Sequence, residues 1–147
     1  MAVYEKLEEY VNKNGKGISF RLKQHAFIIE KHLNPGEEVI FAFPGQKNAE
    51  FYNFFTSCVV VLTNKRLLIG QKRVLWGYFL RSITPDLYND LFVYRGLLWG
   101  KIVIDTVKEE VIITNLTKKG LTDIETNITE FMMREKQKYG SMNQDVV

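Results

Sequence analysis

Apolar residues along this chain change their period twice, and the changes divide it into three zones. In the first zone Val3, Leu7, Tyr10 and Val11 recur at helical spacing, with Glu5, Lys6, Glu8 and Glu9 between them, which predicts a short amphipathic helix. Asn14-Gly15-Lys16-Gly17 stops that helix, and Ser19 stands where a cap for the next one belongs. Leu22, Ala26, Ile29 and Leu33 then share a second stripe, which Phe20, Phe27 and Ile28 widen beyond the need of a free surface helix. Asn34-Pro35-Gly36 ends helicity. So broad an apolar face must dock, either on the rest of the fold or on a second copy of the chain.

From Glu37 to Leu116 the period falls to two. Val39, Phe41 and Phe43 form one face of a first strand, which Pro44-Gly45 ends before a polar loop from Gln46 to Asn53. Further strands follow at Cys58–Leu62, Leu67–Ile69, Tyr78–Arg81 and Leu91–Tyr94, joined by turns such as Thr63-Asn64-Lys65-Arg66 and Gly70-Gln71-Lys72-Arg73. The last pair is the clearest hairpin, with Ile102, Ile104 and Thr106 before a bend at Val107-Lys108-Glu109 and Val111 to Leu116 after it. Strands this frequent, with no helix alternating between them, exclude a parallel sheet and indicate an antiparallel barrel or sandwich.

The third zone, Thr117 to Lys138, returns to helical spacing, with Leu121, Ile124, Ile128 and Phe131 on one face. Burying those four side chains is worth roughly 1.5–3 kcal/mol each, and the open end of a small barrel is where they fit. The expected architecture is therefore α+β and mainly β. It has residues 1–34 as a helical extension, 35–138 as a partly open seven-stranded barrel capped by the last helix, and 139–147 as a flexible tail.

Composition narrows the class without naming a function. An apolar fraction of 46% with 25% charged residues in 147 suits one globular domain. The N-terminus, MAVYEKLEEYVNK, has neither a basic nor an apolar leader region, and no apolar run approaches a membrane span. The lone cysteine, Cys58, supports neither an internal disulfide nor a thiolate metal cage. These features give a cytoplasmic expectation. The chain carries +3 overall, but residues 65–101 hold seven basic side chains against two acidic ones, a local +5.

Three segments carry a family resemblance: Leu33-Asn34-Pro35-Gly36-Glu37-Glu38, Val61-Leu62-Thr63-Asn64-Lys65-Arg66-Leu67-Leu68, and Gly96-Leu97-Leu98-Trp99-Gly100-Lys101-Ile102, followed by a closing helix from near Lys118. Together they resemble the bacterial pleckstrin-homology (PH) domains, in particular the YokE-like group, over roughly Asn34 to Lys136. The resemblance implies a partly open seven-stranded barrel with a C-terminal capping helix, and no enzyme. Eukaryotic relatives that bind phosphoinositides use a basic cluster in and around the loop joining the first two strands. Here that loop offers only Lys47, amid Asn48, Glu50 and Asn53, so that activity does not carry over.

Candidate binding residues fall in two groups. Lys65, Arg66, Lys72 and Arg73 flank the third strand and suit an anionic surface, although turn geometry and solvated charge explain them as well. Val74-Leu75-Trp76-Gly77 and Leu97-Leu98-Trp99-Gly100 echo one another. If both tips project, Leu75, Trp76, Leu98 and Trp99 form an apolar patch of the kind that marks an interface. Alternatively the two rings cap the barrel core. His25 and His32 stand two helical turns apart, too far for joint metal ligation, and are expected to face solvent or an interface. Cys58 reads as a small core residue. Asp105, Glu109 and Glu110 read as solvated turn acids, and no phosphate loop or nucleophile elbow occurs.

No catalytic residue, metal site or cofactor is assigned. The first functional expectation is a non-enzymatic module for protein interaction or self-assembly, using the N-terminal helices and the two tryptophan loops. The alternative is peripheral attachment to anionic membrane through Lys65, Arg66, Lys72 and Arg73 with those tryptophans. Nucleic acid is disfavoured, because most aromatics alternate inward and a pI near 8.9 falls short of a strongly basic signal.

Overall fold

A computed structural model describes residues 1–47 and 56–144, with side chains as far as 138. Part of the predicted Gln46–Asn53 loop, including Asn48, Glu50 and Asn53, lies outside the described residues. Two helices, α1 (Ala2–Asn14) and α2 (Leu22–His32), precede seven strands: β1 (Val39–Lys47), β2 (Ser57–Thr63), β3 (Leu67–Lys72), β4 (Tyr78–Ile83), β5 (Tyr88–Arg95), β6 (Gly100–Thr106) and β7 (Glu110–Leu116). A 3-10 turn (Lys118–Gly120) leads into α3 (Leu121–Gln144). All seven strands belong to one antiparallel sheet in the order β4-β3-β2-β1-β7-β6-β5. The sheet is open, since β4 and β5 end it on either side, and an ion pair joins Arg81 of β4 to Glu109 in the β6–β7 bend.

The pleat sorts the strand residues between two cores. Phe43, Val60, Leu62, Leu67, Ile69, Ile102, Ile104 and Ile113 point inward, where Leu121, Ile124, Ile128 and Phe131 of α3 close over them. This is the plug expected from the last helical stripe. The alternate residues Ala42, Val59, Val61 and Leu68 form a second core on the outer face with Val3 and Leu7 of α1 and Ala26 and Ile29 of α2. The central stripes of the N-terminal helices are therefore spent in cis on β1–β3, while Phe20 and Phe27 at the margin stay exposed. The double covering also explains β2 itself: Cys58-Val59-Val60-Val61-Leu62 is continuously apolar because both faces of that strand are buried.

Several boundaries differ from the sequence expectation. Pro44-Gly45 does not end β1, which continues to pair with β2 through Gln46 and with β7 at Gln46 and Lys47. Glycine is needed there because a Cβ on residue 45 would stand 2.4 Å from Ile113 Cγ2 of the crossing strand. Ser19 does not cap α2. Its hydroxyl donates to the Gly45 carbonyl (3.2 Å), and the cap position is Arg21 in a left-handed conformation. The last helix begins at Leu121 after the 3-10 turn and extends to Gln144, into the segment expected to be a tail. Its polar end carries no apolar stripe, so periodicity gave no signal there.

Candidate binding surfaces

The turn between β2 and β3 is a closed polar cluster. Glu37, whose side chain is fully buried, accepts from Arg66 Nε (2.9 Å) and Nη2 (3.1 Å), from the Thr63 hydroxyl (2.7 Å) and from the Asn34 backbone N–H (2.9 Å). Burial alone would raise the Glu37 pKa, but these bonds and the Arg66 charge outweigh it and hold it at about 2. Arg66 also donates to the His32 carbonyl (3.0 Å) and to Ser82 Oγ (3.1 Å). Asn64 ties the same segments from the other side, donating its N–H to the Glu38 carbonyl and accepting the Glu38 N–H, both at 2.9 Å. The guanidinium of Arg66 thus joins the strand pair to the α2–β1 connection, and Lys65 beside it is exposed.

Lys72 and Arg73 stand at the opposite end of β3, about 20 Å away at ~3.3 Å per strand residue, so the four predicted cations do not form one patch. Arg73 N–H donates to the Gly77 carbonyl (3.1 Å), and Gly77 takes φ 79° to close the hairpin. The tip projects: Leu75 is 82% exposed and Trp76 80%, with Val74 and Tyr78 about half exposed. Two further cations stand behind it. Lys47 lies over the Phe79 ring (3.4 Å to the centroid), and Arg81 is the β4 partner of Glu109. Burial, opposed by the nearby Cys58 and reinforced by Arg81 and Arg73, holds the Lys47 ammonium below its ordinary pKa. Lys47 was not selected from sequence as a binding residue, because only the curl of the sheet brings the end of β1 beside the β3–β4 hairpin.

The second echo has a different fate. Leu97 and Leu98 are exposed on the β5–β6 turn, but the Trp99 ring is half-buried beside the α1–α2 connection, 3.5 Å from where a Cβ on Gly17 would stand. Arg95 donates to the Lys118 carbonyl (3.2 Å) and Thr122 Oγ1 (3.1 Å), and Lys118 donates to the Leu97 carbonyl (3.4 Å), fastening this turn to the start of α3. One tryptophan therefore projects while the other packs.

His25 is buried rather than solvent-facing. Its Nδ1 accepts the Lys72 backbone N–H (2.8 Å), and its ring also bonds the Phe20 backbone. Burial raises the Cys58 thiol to about 12, which removes it as a nucleophile near neutral pH. Among the described residues no group of three or more His, Cys, Asp or Glu side chains suits a metal ion, and no helix is long and apolar enough to cross a membrane.

Comparison with known proteins fits this geometry. A family described as "Bacterial PH domain" matches residues 33–130, and the chain belongs to that family. Two solved structures share the fold. One is a pleckstrin homology domain from Shewanella amazonensis SB2B, with 15% identity, a TM-score of 0.53, and coverage of 77% of this chain and 89% of that one. The other is a DUF1696 family protein with a pleckstrin-homology domain from Shewanella loihica PV-4, with 15% identity, a TM-score of 0.51, and coverage of 77% and 98%. No curated protein matches.

Proposed function

We propose that this bacterial PH domain is a non-enzymatic binding module that attaches peripherally to anionic membrane surfaces through its β3–β4 hairpin. The observation that carries this reading is the exposure of Leu75 and Trp76 on a tip whose base holds Lys72 and Arg73, with Lys47 and Arg81 behind. Tryptophan suits the headgroup layer, and each basic residue near an anionic surface contributes about 1 kcal/mol. One leucine adds about 2 kcal/mol if its side chain leaves water. The sum gives reversible, salt-sensitive attachment rather than permanent anchoring.

The protein-interaction reading keeps only part of the N-terminal face, because Val3, Leu7, Ala26 and Ile29 are held in the outer core shared with β1–β3 while Phe20 and Phe27 remain exposed. We also propose placement near the YokE-like group, which rests on the Leu33–Glu38, Val61–Leu68 and Gly96–Ile102 segments.

Vesicle co-sedimentation tests the membrane reading. Binding to phosphatidylserine-containing vesicles should appear at low salt, fall at high salt and be absent on pure phosphatidylcholine. L75S/W76S should weaken it about tenfold or more. Absence of pelleting at low salt, or a hairpin variant that binds as well as the native chain, would overturn the proposal.

A further inference from the structure

The outer faces of the two halves of the sheet are treated differently. On β1–β3 the outward side chains lie beneath α1 and α2. On β5–β7 the inward residues Leu91, Ile102, Ile104, Val111 and Ile113 belong to the inner core, whereas among the described residues the outward Phe92, Val103 and Ile112 belong to neither core. The strand register arranges those outward residues in three cross-strand rows. The central row is apolar: Phe92 pairs with Val103 and Val103 with Ile112. Phe92 is 43% exposed, while Val103 is 8% exposed and belongs to neither core. On one side runs a row of carboxylates, Asp90 opposite Asp105 and Asp105 opposite Glu110. On the other side Tyr94 stands opposite Lys101, whose ammonium lies 4.8 Å from the Tyr94 ring centroid.

Like charges directly opposite on neighbouring strands destabilise a sheet, and no ion pair is formed by any of these three carboxylates among the described residues. An apolar row with acid on one side and base on the other is self-complementary under only one in-plane rotation. A two-fold axis along the Phe92–Val103–Ile112 row lays that row on its own copy and brings the carboxylate row of one chain over the Tyr94–Lys101 row of the other. An axis parallel to the strands would instead set carboxylate against carboxylate.

We infer that the outer face of β5–β7 is a homodimer interface: two copies of this chain stack face to face about an axis along the Phe92–Val103–Ile112 row, with Lys101 of each meeting Asp105 of the other. Tyr94 of each copy then donates its hydroxyl to Asp90 of its partner. Packed sheets stand about 10 Å apart, within reach of a lysine and an aspartate extended toward each other. Three strands ~4.8 Å apart and five residues of ~3.4 Å each give a face of roughly 15 by 17 Å. That is small against the ~800 Å² per partner of a standard interface, which makes the dimer a weak and salt-sensitive one. This inference is independent of the membrane proposal, because it uses a different face and needs no lipid.

Sedimentation equilibrium at low salt, up to about 1 mM chain for so small an interface, provides the test, with circular dichroism to establish that each variant is folded. The native chain should show a monomer–dimer equilibrium. F92S should weaken it about tenfold or more. K101E and D105K should each be monomeric alone, and an equimolar mixture of the two should dimerise again, because each end of the mixed pair then sets one acid against one base. A native chain that stays monomeric throughout, or folded K101E and D105K chains that fail to recover association on mixing, would overturn the inference. A merely structural role for either residue would give no recovery.

Discussion

Replacing Glu37 with alanine should cost about 3–5 kcal/mol of folding stability, the usual consequence of removing one partner from a buried ion pair. Its side chain is fully enclosed, and that of Arg66 is 16% exposed. Truncation would leave the guanidinium facing a dry pocket with only the His32 carbonyl and Ser82 hydroxyl to satisfy it. It would also remove one bond each from the Thr63 hydroxyl and the Asn34 N–H. Urea unfolding of E37A against the native chain measures the effect, and a loss under about 1 kcal/mol would show that the cluster does not hold the turn. Removing both partners by E37Q/R66M should recover part of the loss, because no unpaired charge then remains buried. The pH dependence has a defined sign. The Glu37 pKa is depressed from 4.5 to about 2, so its contribution is complete above about 4.5 and is lost as pH falls through about 2.

That cluster gives two of the segments that carry the family resemblance a physical meaning. Asn34-Pro35-Gly36-Glu37 and Thr63-Asn64-Lys65-Arg66 lie nearly thirty residues apart in sequence, yet they are two halves of one contact. The Thr63-Asn64-Lys65-Arg66 turn needs no ligand to explain it here, because Thr63 and Arg66 both bind Glu37. A basic residue in a turn reads the same from sequence whether it faces solvent or a buried carboxylate. Only the pairing of β1 with β2 distinguishes them.

Elements with strong periodicity were legible from the residues alone: both N-terminal helices, the β6–β7 hairpin, and the apolar stripe of α3 that plugs the barrel. What sequence could not supply was which surface each face meets. The second helix buries Ala26 and Ile29 against the outer face of the sheet, whereas Phe20 and Phe27, which widened its stripe, remain exposed. The Pro44-Gly45 pair imitates a strand end because its usual role is a turn, whereas here the missing Cβ lets β7 cross. The paired Trp-Gly echoes were indistinguishable as text. One sits on a hairpin whose tip is exposed, and the other beside the α1–α2 connection. The rows on β5–β7 depend on register, since Phe92, Val103 and Ile112 become neighbours only once the three strands are aligned.

Acidification should destabilise the protein in a window set by His25, well above the pH at which Glu37 titrates. Burial pushes the His25 pKa down to about 4 from 6.5, opposed by its bond to the Phe20 backbone and reinforced by the Arg21 charge. The neutral ring is the form the fold requires, because a protonated Nδ1 cannot accept the Lys72 N–H. The unfolded chain takes up the proton near pH 6.5 and the folded chain only near pH 4. Stability is therefore complete above about 6.5 and declines between the two values, by up to about 3 kcal/mol at 1.36 kcal/mol per unit. A urea series across that range should show the decline in the native chain. In H25N, which is less stable at neutral pH but carries no titrating ring there, most of it should disappear. An unchanged slope in H25N would assign the decline to other groups. Because the bonded N–H belongs to the last residue of β3, hydrogen exchange at the Lys72 amide should accelerate over the same interval. Acid would then loosen the base of the hairpin that carries Leu75 and Trp76 before it unfolds the barrel.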